Sequence, residues 1–326
     1  MNKIRVAICG YGNLGRAVQR AVRSAPDMEL RGIFSRRPER CAPFADGVPA
    51  LPEEALYRTH EDLDVAILCG SSAYDLPRQT PRCAAYLSFV DSFDVHSRAR
   101  EHFLAADQSA RNAGTTGIVS AGWDPGLFSC VRAAFEAFLP SGKTSTFWGR
   151  GISQGHSAAL RGVEGVADAR QYTVPRPEAL RAAADPQADA LPPEAMHLRE
   201  CYVVLKPGAD PIQVERSIRE MPGYFSGYET HVHFVSQLEL DEHHHSMAHA
   251  GAVLRSGVTG QKNPQGMKLS LELGSNPEFT AGILTACARA AVRLHNCGHT
   301  GCHTMLDVPP ALYCLTEGAS LQKQVL

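Results

Sequence analysis

The chain has 326 residues, 44% of them hydrophobic and 20% charged, a composition that fits a folded globular protein and excludes general disorder. Lys and Arg number 32 against 34 Asp and Glu, a net charge of -2, so neither a nucleic-acid-binding footprint nor a polybasic membrane surface is expected. No apolar run approaches the roughly 18 residues of a membrane span, the first strand-like run begins at Ile4 without a signal-peptide core, and a cytoplasmic two-domain enzyme is the expectation.

In chain order, Ile4–Cys9 reads as a buried strand, and 14–23 as a helix with Leu14, Val18 and Val22 on one face. Further strands are predicted at 28–34, 65–69, 87–90 and 118–120, with helices at 77–86 and 97–113. This alternation implies a parallel sheet with helices on both faces. From about Thr144 the rhythm changes. Candidate strands at 169–174, 201–206, 230–238, 252–256 and 267–273 are interrupted by one helix, Pro211–Arg219. The stretch 175–193, rich in Ala, Pro and Asp, reads as an excursion outside the sheet. A mixed or antiparallel sheet, and so a second domain of α+β type, is expected there. A long helix over 277–296 follows, capped by Asn276 and closed by Gly298. The ten cysteines sit mostly alone in apolar runs such as VAICG and AILCG, where a thiol packs as a small hydrophobe. Reduced thiols are expected rather than a disulfide framework.

Gly10-Tyr11-Gly12-Asn13-Leu14-Gly15 is a G-x-G-x-x-G pattern between the first strand and the first helix. Gly10 allows the turn, Gly12 lets backbone approach a pyrophosphate, and Gly15 permits close helix packing, with the helix N-terminus facing the anion. That context makes a dinucleotide site the expectation. An NAD site has an acid at the end of the second strand, whereas this chain reads Ser35-Arg36-Arg37 there. Two guanidiniums and a hydroxyl suit a 2′-phosphate, so NADP is the predicted cofactor. Cys69, Gly70, Ser71 and Ser72, at the end of the third predicted strand, and Ser92, after the fourth, complete the predicted cofactor surface.

Two acidic motifs end later strands, Val90-Asp91-Ser92-Phe93-Asp94 and Gly122-Trp123-Asp124-Pro125-Gly126. Asp91 and Asp124 are expected near the nicotinamide, with Trp123 beside them, as a site for an ammonium substrate. Asp94 is read instead as a helix cap, and a plain turn role is the competing reading of Asp124.

These stretches, with TFWGRGISQGHSAALR, ARQYTVP, MPGYFSGYE, HAG and LGSNPEFTA, span Ile4 to Ala281 and resemble the meso-diaminopimelate dehydrogenase family. The resemblance implies a homodimer of subunits with a Rossmann-type domain over 1–121 and a substrate and dimerisation domain over 122–276. It also implies that 277–326 packs back on the first domain. The reaction implied is NADP-dependent oxidative deamination of meso-2,6-diaminopimelate at its D-centre, giving L-2-amino-6-oxopimelate and ammonia in lysine biosynthesis. Asp91, Asp124 and Trp123 would then surround the D-amino centre, with Trp148, Ser153, Gln154 and Gly155 nearby. Thr173, Arg199, His249 and Asn276 would hold the distal L-amino-carboxylate. Two positions depart from the family: Ala158 stands where Asp is common, and Ile152 where Met or Leu is. Both adjoin the expected substrate loop.

His231, His233, His243, His244, His245 and His249 form a dense group, with the triple His read as a solvated loop. His295, Cys297, His299, Cys302 and His303 form another. The second has a metal-like spacing, yet Gly298 and Gly301 break the helix there and amine oxidation by a nicotinamide needs no metal, so none is predicted. Two other functions are compatible with the nucleotide loop: a related NADP-dependent reductase of another amino or keto acid, and a non-catalytic NADP-binding sensor.

Overall fold

The nearly uncharged run Ile4–Cys9 forms an inner strand of a parallel sheet in the computed structural model, which describes residues 3–326; Met1 and Asn2 of the expected first domain lie outside the described residues. The strands in chain order are β1 (Ile4–Cys9), β2 (Met28–Ser35), β3 (Ala50–Pro52), β4 (Val65–Leu68), β5 (Ser88–Asp91) and β6 (Thr116–Ile118). They continue as β7 (Gly142–Trp148), β8 (Gly151–Ile152), β9 (Val166–Pro175), β10 (His197–Leu205) and β11 (Thr230–Phe234). The last three are β12 (His249–Thr259), β13 (Asn263–Leu273) and β14 (Gly301–His303).

The chain forms two units, one running up to Cys130 and resuming over Pro277–Leu326, the other Val131–Asn276. The division falls inside the helix Leu127–Phe138 rather than at the expected junction after Ala121.

In the first unit seven parallel strands take the order β14-β6-β5-β4-β1-β2-β3. The order reverses between β1 and β4, the switch point at which such sheets bind ligands. Both faces are covered, so β4 and the Val6–Cys9 part of β1 have no polar side to show and read as unbroken apolar runs. One face carries Ala17, Val18 and Val22 of the helix Asn13–Ser24, and Ala281, Leu284, Ala288 and Ala291 of the helix Asn276–Asn296. The other carries the helices Leu76–Ala84 and Ala99–Ala113. Arg289 fixes the late helix to the loop before β2 through Asp27, at 2.6 and 2.9 Å. β3 and β14, three residues each, carry too little pattern to be predicted.

The second unit holds two sheets where one was expected. β11-β10-β9-β8 is mixed, with β10 and β11 parallel, and β13-β12-β7 is antiparallel. Strand β11 stops at Phe234 because Ser236 caps a new helix, Gln237–His243, by accepting the Glu239 amide at 3.1 Å. The excursion at 175–193 contains the helix Pro177–Ala184, whose Ala179 and Ala183 pack on Phe147, Ala252 and Leu254.

All ten cysteines are free thiols. Among the described residues no helix is long and apolar enough to cross a membrane.

Candidate active site

Within the first unit, the glycine loop sits at the end of β1. A Cβ at Gly15 would stand 2.2 Å from the Gly10 carbonyl oxygen, and one at Gly10 (φ +93°) would stand 3.0 Å from the Cys69 carbonyl carbon. Side chains are therefore excluded at both positions. Gly12 is different: a Cβ there would meet nothing within 4 Å, so its backbone faces open space where the helix Asn13–Ser24 begins. Asn13 and Leu14 open that helix, which has no acid in its first turn, and the Tyr11 hydroxyl lies 2.8 Å from the Phe44 carbonyl. This surface fits a dinucleotide pyrophosphate.

Arg36 and Arg37 are exposed at the end of β2, and the Arg37 amide donates to Ser35 Oγ at 3.2 Å. The acid missing from β2 arrives from elsewhere. Asp75 meets Arg36 at 3.2 and 3.4 Å and accepts the Ser71 amide at 3.0 Å. Gly70 leaves room for it, since a Cβ there would stand 2.7 Å from that of Asp75. The Ser72 hydroxyl accepts the Asp94 amide at 3.1 Å, which joins the loops after β4 and β5.

The placement of Asp91 corrects the sequence reading. Its carboxylate is 0% exposed. Oδ1 accepts the Phe93 and Ser120 amides (3.1 and 2.7 Å), and Oδ2 accepts the Thr80 hydroxyl and His102 Nε2 (2.8 and 2.5 Å). Four donors use its acceptor sites, and none remains for a substrate ammonium. The exposed carboxylate of the motif is Asp94, three residues on. Asp94 is no helix cap either: the short helix after it, His96–Arg98, begins behind Val95. Ser92 follows the end of β5 and is half-buried.

Asp124 is half-buried in the turn after β6, and Trp123 is 9% exposed with its ring edge-on to Phe128 at 5.3 Å. The turn closes through the Leu127 and Phe128 amides, which donate to the Gly122 and Trp123 carbonyls at 2.9 and 2.8 Å. Gly126 takes φ +123° against Gly122, explaining the glycines of GWDPG.

In the second unit, strand register gathers residues far apart in sequence. Arg199 on β10 pairs with Thr173 on β9, and Thr173 pairs with Gly151 on β8. A Cβ at Gly149 would stand 1.9 Å from the Thr173 carbonyl oxygen, and one at Gly151 would stand 2.4 Å from the His249 ring. Both glycines of WGRG therefore exist to let Thr173 and His249 approach. Trp148 ends β7, and Asn276 donates its amide to the Met247 carbonyl at 2.8 Å. Ser153 caps the helix Gln154–Arg161 by accepting the His156 amide at 3.4 Å, which leaves Gln154 and Gly155 exposed at its first turn. Gln154 Nε2 donates to Met247 Sδ at 3.3 Å.

Arg199 is 8% exposed, and among the described residues no carboxylate is paired with it. Its Nη1 donates to Thr173 Oγ1 at 2.5 Å, its plane lies over the Tyr228 ring at 4.2 Å, and its Nε is buried without a partner. Burial pulls its pKa down, which records the cost of a charge held out of water. Thr173 Oγ1 also accepts Gln171 Nε2 at 3.4 Å, so the threonine keeps its own proton to donate outward. A cation and a hydroxyl donor side by side form a receptor for an anion. Tyr228, Gln171 and His197 were not singled out from sequence: Tyr228 reaches Arg199 from the turn before β11, Gln171 stands two residues before Thr173 on β9, and His197 meets Trp148 of the other sheet.

His197 Nε2 accepts the Trp148 amide at 3.1 Å while Nδ1 donates to the Pro193 carbonyl at 3.3 Å, an arrangement that requires the neutral ring. Burial, opposed by that carbonyl and aided by the nearby Arg199 charge, lowers its pKa from 6.5 to about 4. The unfolded chain therefore binds the extra proton first, and stability is lost as pH falls from 6.5 toward about 4. His197→Gln, which retains an acceptor and a donor, is expected to show a smaller drop in thermal unfolding temperature across that window than the parent.

The histidine groups resolve as packing. His244 stacks on Tyr202 at 3.8 Å and lies 3.0 Å from the Tyr172 hydroxyl, so the triple His is not simply a solvated loop. His231 and His233 both bind Glu200, at 2.8 and 2.7 Å. His295 lies 3.3 Å from Thr116 Oγ1. Among the described residues no three His, Cys, Asp or Glu side chains are grouped to hold a metal.

Comparison with known proteins places this arrangement. Residues 122–275 match the family described as the diaminopimelic acid dehydrogenase C-terminal domain. A meso-diaminopimelate D-dehydrogenase of Ureibacillus thermosphaericus is 45% identical over 326 residues, covering 100% of both chains. The solved C. glutamicum DAP dehydrogenase in complex with DAP is similar at a TM-score of 0.94, with 40% identity and 100% of both chains covered. An engineered D-amino acid dehydrogenase bound to NADP+ has a TM-score of 0.90, with 39% identity and 100% of both chains covered. With both units and every segment of the sequence matched, the chain belongs to the meso-diaminopimelate D-dehydrogenase family.

Proposed function

We propose that this protein catalyses the NADP-dependent oxidative deamination of meso-2,6-diaminopimelate at its D-centre, giving L-2-amino-6-oxopimelate and ammonia. The observation that carries the substrate is Arg199. A buried guanidinium without a carboxylate partner is costly, and a substrate carboxylate is the group that would offset the cost. Thr173 adds a donor, and His249 and Asn276 complete the proposed receptor for the distal L-amino-carboxylate. Trp148, Gln154 and Gly155 are placed along the substrate. Ser153 serves them as the helix cap.

At the reacting end we assign Asp94 and Asp124 to the ammonium group, with Trp123 as an apolar wall. Two carboxylates favour the charged amine on binding, and either can accept the proton the amine must lose before its lone pair assists C–H cleavage. The loop Gly10–Gly15 and the Ser35-Arg36-Arg37 end of β2 would hold NADP, whose nicotinamide supplies the hydride acceptor. The family names in the comparisons and the NADP+ complex of a relative support the same chemistry.

Formation of NADPH, followed by its absorbance, on addition of meso-diaminopimelate tests the reading directly. Activity on simple D-amino acids with none on diaminopimelate would replace it. Cofactor choice is tested separately. A charge-assisted hydrogen bond contributes about 1.5–3 kcal/mol, or roughly 10- to 150-fold in affinity. Arg36→Ala with Arg37→Ala is therefore expected to weaken NADP by that order and NAD far less. Equal loss of both cofactors would refute a 2′-phosphate role.

A homodimer in the cytoplasm is the assembly we propose. Strand β13 supports it, since among the described residues it pairs only with β12 and leaves an 11-residue strand edge of the second unit to be covered.

A further inference from the structure

The two carboxylates assigned to the reacting amine stand on separate loops, Asp94 after β5 and Asp124 after β6. Asp91 is bonded to the root of both. Its Oδ1 takes the Phe93 amide at 3.1 Å, one residue before Asp94, and the Ser120 amide at 2.7 Å, four residues before Asp124. Its main-chain oxygen takes the Ala121 amide at 2.9 Å. Ser120 sits at φ +54°, a left-handed conformation unfavourable for a residue with a Cβ, and its own hydroxyl is buried without a partner. The serine side chain therefore does not hold this turn. The bond from its amide to Asp91 does.

Asp91 is itself held from behind. Thr80, 0% exposed on the helix Leu76–Ala84, and His102, 5% exposed on the helix Ala99–Ala113, both donate to Oδ2. A carboxylate can only accept, so His102 Nε2 carries its proton toward Asp91. The His102 ring stacks on Phe93 at 4.0 Å with a 9° tilt, bracing the residue before Asp94 as well. A fully satisfied buried network of this kind adopts one arrangement.

We infer that Asp91, backed by Thr80 and His102, is a positioning residue for the reaction, setting the two loops that carry Asp94 and Asp124 without touching substrate. The inference rests on the proposed role of those two carboxylates at the amine. Displacing a reacting group by about 1 Å can cost on the order of 100-fold in rate, so loosening this network acts on the chemical step.

The test uses the intact enzyme with Asp91→Asn, His102→Phe and Thr80→Val, the last two removing one donor each while keeping the ring stack or the volume. Hydride transfer measured in a single turnover is expected to fall about 10- to 100-fold in each. NADP affinity should stay within about twofold, because the glycine loop and Arg36 are untouched. Adding Asp91→Asn to Asp124→Asn should cost much less than it does alone, as expected of groups acting through one another. If Asp91→Asn does not fold, the other two variants decide. Normal hydride transfer in His102→Phe and Thr80→Val, with Asp94→Asn and Asp124→Asn impaired, overturns the inference alone. Normal turnover in Asp94→Asn and Asp124→Asn overturns both it and the reading on which it stands.

Discussion

Arg199→Ala is expected to raise KM for meso-diaminopimelate strongly while leaving slow activity on a short D-amino acid almost unchanged. meso-Diaminopimelate has a D-centre at one end and an L-centre at the other, so an enzyme that oxidises one must recognise the second as an anchor. In this chain the proposed anchor is a guanidinium 8% exposed, resting on Tyr228 and bonded to Thr173. Its removal leaves the distal carboxylate with neutral partners, a loss of roughly 2–4 kcal/mol, or about 30- to 900-fold. Most of that loss is shared by ground and transition states, so it enters KM more than kcat. Steady-state kinetics on both substrates checks this. Equal damage to both would make Arg199 a structural residue and reverse the proposed orientation. Lys in its place should restore the charge but not the fork, and so only part of the preference.

That the family resemblance named Arg199 and Thr173, but not the Tyr228 ring under the guanidinium, shows where sequence reading stops. The glycine loop was legible because its chemistry is local: turn, close approach and helix start fall within six residues. Strand β4 and the Val6–Cys9 part of β1 were legible because burial on both faces leaves an unbroken apolar run. The end of β11 was also written locally, in Ser236 and Glu239 three residues apart, and the alternation of THVHFVSQL concealed it. Asp91 and Asp94 differ in a way no local pattern records. One ends β5 and the other follows it by three residues, and what separates them is a hydroxyl and an imidazole, each 11 residues from Asp91 along the chain and on a different helix. Tyr228 and His197 are the same case in the second unit, brought to Arg199 and to Trp148 by tertiary packing. The acid expected of an NAD site at β2 was absent from the sequence there, yet Asp75 reaches Arg36 across the fold.

Asp94→Asn and Asp124→Asn are each expected to impair turnover of meso-diaminopimelate with NADP affinity nearly intact, and the one that loses the proton acceptor to slow hydride transfer by about 10²- to 10⁴-fold. The proposed mechanism gives the two carboxylates two tasks, holding an ammonium and accepting its proton, and a neutral amide does neither. The substitutions separate the tasks. Loss of the group that only holds charge weakens binding of the cationic substrate and leaves the shape of the pH profile alone. Loss of the group that accepts the proton removes the acidic limb of the profile, because nothing is left whose protonation stops the reaction. Circular dichroism should show both variants folded, since Asp94 is exposed and Asp124 half-buried. Asp91→Asn serves as the contrast: its damage should come with a lower unfolding temperature, because its NH2 cannot accept and leaves two of the four buried donors facing another donor. If Asp124→Asn turned over normally, that residue would leave the site. If Asp94→Asn did so while Asp91→Asn changed the limb of the profile, the buried carboxylate would be the proton acceptor and the exposed one a bystander.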